Sequence, residues 1–487
     1  MTRLSTTTAM AVSVTALYAF ATPASALCTA GGNATNPTLT CTGDDATPID
    51  NGDDNLAVTV ESGAEIRDAS DTVTLTGSDQ TLDNLGLIDS DTGNGILGTG
   101  ANLTVTNDGT IEGGDRAIRL QDGADGFTLV NNTDGEIRSV NQAVRLDSGD
   151  ALEDATITND GLIESTDGRA IQSRGPGTTI TNNGTLSGGE EVVEAREGFT
   201  LTNTGTIAIR GLSWDPDTQD WTNDNAPDDE DGVQFAGGDL DNSGVILGTD
   251  DGVDLDQGTV VNSGAIVSTG ADGDPSNGGS GIDVDETFEP TVGPDVAAGP
   301  LTIQNTGYIE GVRAIGTDSA STSEITIENS GTLRGRSGTA IELAPNQGDS
   351  SLTLSGDSEI FGDVIFGGGD DLLTVGNVTS GPLINSVFDG GDGDNTVRFT
   401  DLALDDVTSA RFASDFIRLA FDTDGNEISG DFQNFGFWEF GDDEAISTSA
   451  LRDAVPQATP VPVPAGLPLL ITALGGIAWL RRRHSRV

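Results

Sequence analysis

Apolar and polar residues alternate in short segments along most of this chain, and one such segment recurs. It reads aliphatic–x–Asn–x–Gly–x–aliphatic and is found ten times between residues 82 and 333. The third copy, Val130-x-Asn132, has one extra residue before Gly135. The Asn and Gly positions are Asn84/Gly86, Asn107/Gly109, Asn132/Gly135, Asn159/Gly161, Asn182/Gly184, Asn203/Gly205, Asn242/Gly244, Asn262/Gly264, Asn305/Gly307 and Asn329/Gly331. The spacing of two is strand geometry, so these side chains are expected on one face of a strand.

The distance between copies indicates a stacked architecture. Successive motif glycines are 23, 26, 26, 23, 21, 39, 20, 43 and 24 residues apart. The two long gaps are interpreted as one or two periods that carry insertions, and weaker copies lie at Val58–Ile66 and beyond Leu352. A repeat of this length cannot bury its own apolar face, so neighbouring repeats must stack on one another.

A second short apolar segment follows most motif glycines by six to eight residues. Examples are Arg116–Leu120, Gln142–Leu146, Arg169–Ser173, Glu191–Ala195, Gly252–Leu255, Arg313–Ile315 and Thr339–Leu343. Two or three strands per period predict an all-β fold, a right-handed parallel β-helix. A β-sandwich array and a propeller are the alternatives, but the periods are short for propeller blades and clear hairpin turns are lacking.

The recurring Asn and Gly have a predicted role at the bend of each turn. Glycine permits a sharp bend where a Cβ would clash, and asparagine tolerates left-handed backbone angles. Asparagines at one position of successive turns are expected to stack as a ladder in which each amide bonds the next. The alternative is that Asn serves only as a good turn residue.

Composition narrows the list of partners. The formal net charge of the 487 residues is −58, and all 21 basic residues are arginines. A strongly acidic surface repels nucleic acid, so we expect no binding to DNA or RNA. Such a surface suits a saline or Ca²⁺-containing exterior, although a solvated acidic coat without a specific ligand is the explanation that we favour.

The N-terminus has the features of a secretory signal peptide over residues 1–26. Arg3 precedes an apolar run from Ala9 to Ala21, and a small-x-small cleavage site ends at Ala26. A lipoprotein interpretation of the following cysteine is disfavoured because Leu27 is wrong for the position before it. Cys28 and Cys41 are the only cysteines, and in an exported chain they predict one small disulfide in an N-terminal cap over 27–56. Two free thiols are the alternative.

The C-terminus combines three features in order. A linker over 446–460 precedes Val461, Pro462, Val463, Pro464 and Ala465. An apolar run from Gly466 to Leu480 follows, and then a basic cluster formed by Arg481, Arg482, Arg483 and Arg486. With the valine–proline segment the run reaches twenty residues, enough for a transmembrane helix with its arginines in the cytoplasm. This predicts an inner-membrane precursor, exported by the Sec pathway, whose body lies outside the membrane.

This tail, residues 461–487, resembles the PEP-CTERM sorting signals, most closely the VPLPA variant, with Val463 where that family usually has leucine. The resemblance implies cleavage by an exosortase and delivery to the surface of a Gram-negative bacterium. An ordinary single-span anchor is the alternative. The repeats, for example Ile157–Ile163, more loosely resemble the β-helical passenger domains of autotransporter adhesins, although the sorting tail stands where those proteins carry a translocator.

Two glycine-rich segments resemble the calcium-binding nonapeptides of the repeats-in-toxin family. They are Gly367–Leu373 and Gly390–Val397, and they depart from the pattern at Phe366 and Asn395. Hard Ca²⁺ prefers several oxygen ligands converging at glycine-rich turns. The candidate ligands are Asp370, Asp371, Asp392, Asp394 and Asn395. Plain turn chemistry at two successive corners is the alternative.

Acid-rich loops raise the question of an enzyme. They contain Asp228–Asp231, Asp250, Asp251, Asp254, Asp256, Asp283 and Asp285. Paired carboxylates can hydrolyse glycosidic bonds, but acidic residues are so common here that no pair is specific. The only histidine is His484 in the tail, so histidine-based triads are excluded and we expect no enzyme. Trp214 and Trp221 in the insertion 211–230 either stack on a sugar or protein partner or, as we expect, pack that loop onto the repeats.

The sequence therefore predicts β-helix repeats over 57–400 and cap strands over 401–445, with the aromatic segment Phe432–Phe440 closing the open end. The expected function is that of a surface-presented structural or adhesive protein of the cell surface, matrix or biofilm. Its expected partners are the exosortase and extracellular polysaccharide or other surface proteins. The alternatives are a polysaccharide-active enzyme on the same scaffold and a calcium-stabilised passive coat.

Overall fold

The structure is a computed structural model that describes residues 27–45, 47–121, 123–147, 153–196, 198–270, 279–284, 299–317, 322–376, 386–423 and 426–456. The chain divides into two compact units, Met1–Ala195 and Arg196–Val487. Each unit is built of parallel strands stacked turn upon turn, so the predicted solenoid of the right-handed type is confirmed. The predicted signal peptide and the predicted sorting tail lie outside the described residues. Within the described residues, no helix has the length and apolar character needed to cross a membrane.

The strands of the first unit are short. They are β1 Leu27–Asn33, β2 Asn36–Thr42, β3 Asp44–Asp45, β4 Ile49–Asn51, β5 Ala57–Val60, β6 Glu65–Asp68, β7 Val73–Leu75, β8 Thr81–Asn84, β9 Leu87–Ser90, β10 Asn94–Gly98, β11 Thr104–Asn107, β12 Thr110–Gly113, β13 Arg116–Leu120, β14 Thr128–Asn131, β15 Glu136–Ser139, β16 Val144–Leu146, β17 Thr156–Asn159, β18 Leu162–Ser165, β19 Ile171–Ser173, β20 Thr179–Asn182, β21 Thr185–Gly188 and β22 Val193–Ala195.

The second unit contains similar strands and a small amount of helix. Its elements are β23 Phe199–Asn203, β24 Thr206–Ile209, β25 Leu212–Asp215, β26 Asp220–Asn223, β27 Val233–Phe235, β28 Gly238–Asn242, β29 Val245–Gly248, β30 Val253–Leu255, β31 Gly258–Asn262, β32 Ala265–Ser268, β33 Ser280–Val284, β34 Leu301–Asn305, β35 Tyr308–Gly311, β36 Arg313–Gly316, β37 Ile325–Asn329, β38 Thr332–Glu342, β39 Ser350–Leu354, β40 Glu359–Ile365, β41 Leu372–Val375, β42 Val387–Asp389, β43 Thr396–Phe399, a 3-10 turn Leu404–Asp406, β44 Val407–Phe412, β45 Ile417–Thr423, β46 Asn426–Gln433, β47 Phe437–Phe440, β48 Ile446–Ser447 and α1 Thr448–Ala454.

A regular turn has three strands, which define three faces. In the first unit, β8, β11, β14, β17 and β20 pair in parallel on the first face. Strands β9, β12, β15, β18 and β21 form the second face, and β10, β13, β16, β19 and β22 form the third. In the second unit, β28, β29 and β30 occupy the same three places in one turn, and the long β38 serves both the second and third faces.

The recurring motif spans a corner between two faces. In the second copy, Val105 and Asn107 lie on β11 of the first face, whereas Ile111 lies on β12 of the second face. The expectation that all motif residues lie on one strand face is therefore wrong. Their side chains still share the interior, because the chain turns at Asn107 and Gly109 and the apolar residues on both strands point inward. Val105, Asn107 and Ile111 are all fully buried.

Glycine is required at this corner because the turns approach closely. A Cβ at Gly109 would lie 2.1 Å from the carbonyl oxygen of Gly86, and one at Gly264 would lie 2.0 Å from that of Gly244. Neither glycine adopts a positive φ. The predicted steric reason for glycine is thus confirmed, and backbone handedness has no part in it.

The asparagines form the predicted ladder. In the first unit, each Nδ2 of Asn84, Asn107, Asn131 and Asn159 donates to the Oδ1 of the asparagine in the next turn at 2.8 Å. In the second unit, Asn203, Asn242, Asn262 and Asn305 do the same at 2.8 Å. Because these amides are buried, their hydrogen bonds hold successive turns in register.

One step of the ladder corrects the register inferred from the sequence. On β14 the ladder residue is Asn131, which is fully buried, and its apolar neighbour is Leu129. The motif assignment of Val130 and Asn132 is therefore wrong by one residue. Asn132 lies at the surface, where its Nδ2 donates to Asp108 at 2.8 Å. The turn that follows Asn131 holds two extra residues, and Nδ2 of Asn131 still reaches the carbonyl oxygen of Gly135 at 3.1 Å.

Antiparallel pairs occur in the first and last strands and in the first long insertion. Strands β1 and β2 form a hairpin in which a disulfide joins Cys28 to Cys41. Strands β25 and β26 form a hairpin from the insertion, and Trp214 packs against Tyr308 with ring centroids 5.5 Å apart, as expected for a loop folded onto the repeats. Near the end of the second unit, β44 to β46 and β47 to β48 cover a cluster of aromatic rings that includes Phe432 and Trp438.

Candidate functional site

Three turns of the second unit enter their third-face strands through the same corner. Asp231-Gly232 precedes β27, Asp251-Gly252 precedes β30, and Ser280-Gly281 begins β33. The parallel register of these strands places Asp231, Asp251 and Ser280 one above another. The first two segments read Asp-Gly-Val and are 20 residues apart, so the repeat could have been recognised in the sequence, where these acids were instead grouped only as acid-rich loops.

Backbone amides of successive turns hold these aspartates in place. Oδ1 of Asp231 accepts from the amide of Asp251 at 3.0 Å, and Oδ1 of Asp251 accepts from the amide of Ser280 at 2.7 Å. Oδ1 of Asp250 accepts from the amide of Gly279 at 3.0 Å. Aspartate is common at such corners because its short side chain can accept hydrogen bonds from backbone N–H groups that are not paired between strands.

The result is a group of crowded carboxylates, which we call the aspartate cluster: Asp231, Asp250 and Asp251. Within the part of the chain that the structure describes, they form the one group of three acidic, histidine or cysteine side chains placed to hold a metal ion, with ligand atoms within 4.8 Å of one another. Besides burial, the charges of Asp283 and Asp254 also raise the pKa of Asp251 in this cluster. Asp254 is oriented by Nε2 of Gln234 at 3.0 Å.

Electrostatics single out Asp251. Its side chain is almost completely buried, with 7% of the residue exposed. Burial, and then the carboxylates of Asp283 and Asp231, raise the pKa of Asp251 well above its usual range. Like charges at this separation cannot all ionise without compensation. The cluster can therefore hold a proton on Asp251 or coordinate a hard cation through its oxygens.

No protein-family model, curated protein or solved structure matches this chain.

The structure separates the acidic residues that the sequence grouped together. Asp228 and Asp229 are exposed, away from the buried corner, and Asp285 lies outside the described residues. Asp256 is buried, with 2% of the residue exposed, at the end of β30. Burial at this corner thus distinguishes a few carboxylates from the many exposed ones, and the sequence pattern did not show this distinction.

The five candidate calcium ligands lie on two adjacent turns at another corner of the second unit. Oδ1 of Asp370 accepts from the amide of Asp394 at 2.8 Å, and Oδ1 of Asn395 accepts from the amide of Asp371 at 2.8 Å. Asp392 and Asp394 are exposed. These bonds are the turn chemistry that was the alternative to calcium, and a Ca²⁺ site here stays a prediction.

Asp371 is the unusual member of that set. Only 1% of the residue is exposed, Oδ1 accepts from the amide of Ser350 at 2.7 Å, and Oδ2 has no hydrogen-bond partner in the described part of the chain. Burial raises the pKa of Asp371 to about 7. The sorting residues Val461 to Ala465 and the arginines of the tail lie outside the described residues.

Proposed function

We propose that this chain is an exported structural or adhesive protein of the cell surface, matrix or biofilm, with a tail that an exosortase processes. The observation that carries the proposal is the asparagine ladder: in both units, buried asparagine amides bond one turn to the next. A scaffold of this kind extends a regular surface by adding turns. The signal peptide and the tail motif recognised in the sequence support its placement outside the cell.

The tail can be tested in the native host by replacing Pro462 and Pro464 together with alanine. We expect the variant to accumulate as an unprocessed membrane form, whereas the unaltered chain yields a shorter surface form. Pro460 lies just outside the motif, so Pro460→Ala is the matched control and should be processed normally. The measurements are immunoblotting of membrane and surface fractions and mass spectrometry of the C-terminus. Normal processing of the double variant would remove the exosortase part of the proposal.

A second candidate function is cleavage of an acidic polysaccharide at the aspartate cluster. The observation that favours it is the pairing of a buried Asp251, whose pKa is raised, with neighbouring carboxylates. A protonated carboxyl can donate to the glycosidic oxygen while a charged neighbour attacks or stabilises the sugar cation, and the two carboxyls of retaining glycosidases are about 5 Å apart.

This candidate is tested by measuring reducing ends released from polygalacturonate by the purified protein. Asp251→Asn keeps the shape but removes the proton donor, so activity should fall by about a hundredfold or more. Asp241, exposed on β28 of the same unit, gives the matched control Asp241→Asn, which should be fully active. If the unaltered protein releases no reducing ends, the enzymatic candidate is rejected and the structural proposal is unaffected.

A further inference from the structure

The third face of the first unit concentrates arginine in a chain that is otherwise strongly acidic, and within the described part of the chain all of these arginines except Arg174 form ion pairs. Arg116 and Arg119 lie on β13, and Arg145 lies on β16. Arg169 precedes β19 and Arg174 follows it. We call these five residues the arginine face. The whole chain has 21 arginines and 79 acidic residues, so this concentration is not what composition would give.

The strand register places like charges directly opposite one another. Arg119 is the cross-strand neighbour of Arg145, and Arg145 is the neighbour of Gln172 on β19. Asp147 bridges the first pair, at 2.8 Å from Nη2 of Arg119 and in contact with Nε of Arg145. Nη1 of Arg145 donates to Oε1 of Gln172 at 2.6 Å. Directly opposed like charges destabilise a sheet, and the shared carboxylate of Asp147 offsets that repulsion between Arg119 and Arg145.

Arg169 and Arg174 differ sharply in their partners. Arg169 forms ion pairs with Glu190, Glu191 and Glu194, so its charge is fully matched. Arg174 is only half-exposed, and its Nε–H is shielded from solvent without a hydrogen-bond partner in the described part of the chain. Burial, and then the charge of Arg145, lower the pKa of Arg174. Among the described residues, Arg174 thus forms no ion pair, and the charges that act on it are those of Arg145 and Arg169 together with the carboxylates of Glu194 and Asp147.

A partly desolvated guanidinium without an ion pair can bind a planar or tetrahedral anion through its outer N–H groups. Guanidinium binds carboxylate or sulfate through two parallel hydrogen bonds, and these bonds strengthen where water is excluded. Neighbouring turns of the face are about 4.8 Å apart, so an extended chain lying along them would meet a new arginine at each turn. Elsewhere the acidic surface repels polyanions, with a range of about 8 Å at physiological salt, which weakens their binding away from this face.

We propose that the arginine face binds the carboxylate groups of an extended acidic polysaccharide, with Arg174 as the principal contact. The inference deepens the proposed function, because it names a partner class for a surface protein, and it rests on that function only for the presence of such polymers around the protein. A carboxylate and a free anion share the same chemistry, so the experiment must separate a polymer from a small ion.

The experiment measures binding of the purified full-length chain to immobilised polygalacturonate, with dextran as the neutral polymer and EDTA present to prevent cation bridging. We expect binding to polygalacturonate alone. Arg174→Gln should weaken it by at least about tenfold, the effect of one charge-assisted hydrogen bond in a partly desolvated site. Arg138→Gln is the matched control, because Arg138 lies on β15 of the second face in the same unit and pairs with Glu164. It should bind within about twofold of the unaltered chain.

A second measurement protects the test from a folding artefact. Because Arg174 is partly desolvated and forms no ion pair, and its Nε–H has no partner among the described residues, Arg174→Gln should melt at the same temperature as the unaltered chain or higher. Equal binding by Arg174→Gln, or no binding by the unaltered chain, overturns the inference. Competition by sulfate or monomeric galacturonate as effective as the polymer would overturn the polysaccharide assignment and leave a small-anion site. Surface location with no polymer binding would reject the inference while the proposed function stands.

Discussion

The one-residue register of the asparagine ladder gives the sharpest test of the fold. Asn131 and Asn132 are adjacent and chemically identical, yet only Asn131 lies in the buried ladder. Asn131→Ala removes an amide that accepts from Asn107 at 2.8 Å and donates to Asn159 at 2.8 Å. Asn132→Ala removes an amide whose bond to Asp108 lies at the surface. The neighbour is therefore a matched control with the same change in composition.

The expected loss of unfolding free energy follows from the polar atoms that Asn131→Ala leaves without a partner. After Asn131→Ala, Nδ2 of Asn107 keeps its bond to the carbonyl oxygen of Gly109 at 3.1 Å, but Oδ1 of Asn159 loses its ladder donor in a buried site. A buried polar atom without a partner costs about 1–3 kcal/mol, and the small cavity adds to that cost. We expect Asn131→Ala to lower the free energy of unfolding by about 2–4 kcal/mol. For Asn132→Ala we expect less than about 1 kcal/mol.

The assay is urea unfolding followed by far-UV circular dichroism, with the midpoint compared at an unchanged slope. Amide hydrogen exchange of β14 and β17 shows whether the loss is local, as expected for a stacked repeat whose turns contact only their neighbours. If Asn132→Ala is the more destabilising change, Asn132 rather than Asn131 occupies the ladder, and the pattern Val130-x-Asn132 has the correct register. Equal effects would mean that the ladder contributes little to stability.

Three further predictions concern other positions of the second and first units. Because burial raises the pKa of Asp371 to about 7 in the folded chain, against about 3.8 when unfolded, the unfolded chain ionises first as pH rises and the unaltered chain loses stability between these two values. Relative to it, Asp371→Asn should gain up to about 4 kcal/mol between pH 4 and pH 8, with a plateau above 7; exposed Asp392→Asn controls for charge and should show no such trend in urea melts. Gly161→Ala places a Cβ 2.3 Å from a carbonyl oxygen and should cost about 1–3 kcal/mol, whereas Gly436→Ala, with its nearest atom at 4.0 Å, should be nearly neutral, and a reversed order in thermal melts contradicts the close stacking. If Ca²⁺ binds the nonapeptide-like corners, EDTA should lower the melting temperature, and an unchanged temperature rejects that site.

Sequence periodicity was sufficient for the kind of fold and for most of its register. The motif spacing predicted stacked parallel strands, and the repeated Asn predicted the ladder, because both depend on residues that recur at one position of every turn. The third copy was assigned wrongly because Val130 and Leu129 are both aliphatic and Asn131 and Asn132 are both asparagine. Only burial distinguishes them, since a slip of one residue moves a side chain from the interior to the surface.

The two candidate binding sites, the aspartate cluster and the arginine face, could not be predicted from the sequence. Asp231 and Asp251 are 20 residues apart and Arg145 and Arg174 are 29 apart, among many similar residues. The local sequence does not show which aspartates share a buried corner or which arginine lacks an ion pair in the described part of the chain. Those properties depend on the length of each turn and on the burial that neighbouring turns impose. Both are set by residues that are distant in sequence and become neighbours only in the folded chain.

The sequence by itself thus determined that this chain stacks short parallel strands, with asparagine inside and glycine at the corner, because a repeated turn imposes the same steric and hydrogen-bonding demands each time. Tertiary structure alone decided where charges meet. It brought Asp251 among other carboxylates and left Arg174 partly desolvated without an ion pair among the described residues, because stacking turns of unequal length removes particular side chains from water and sets their neighbours.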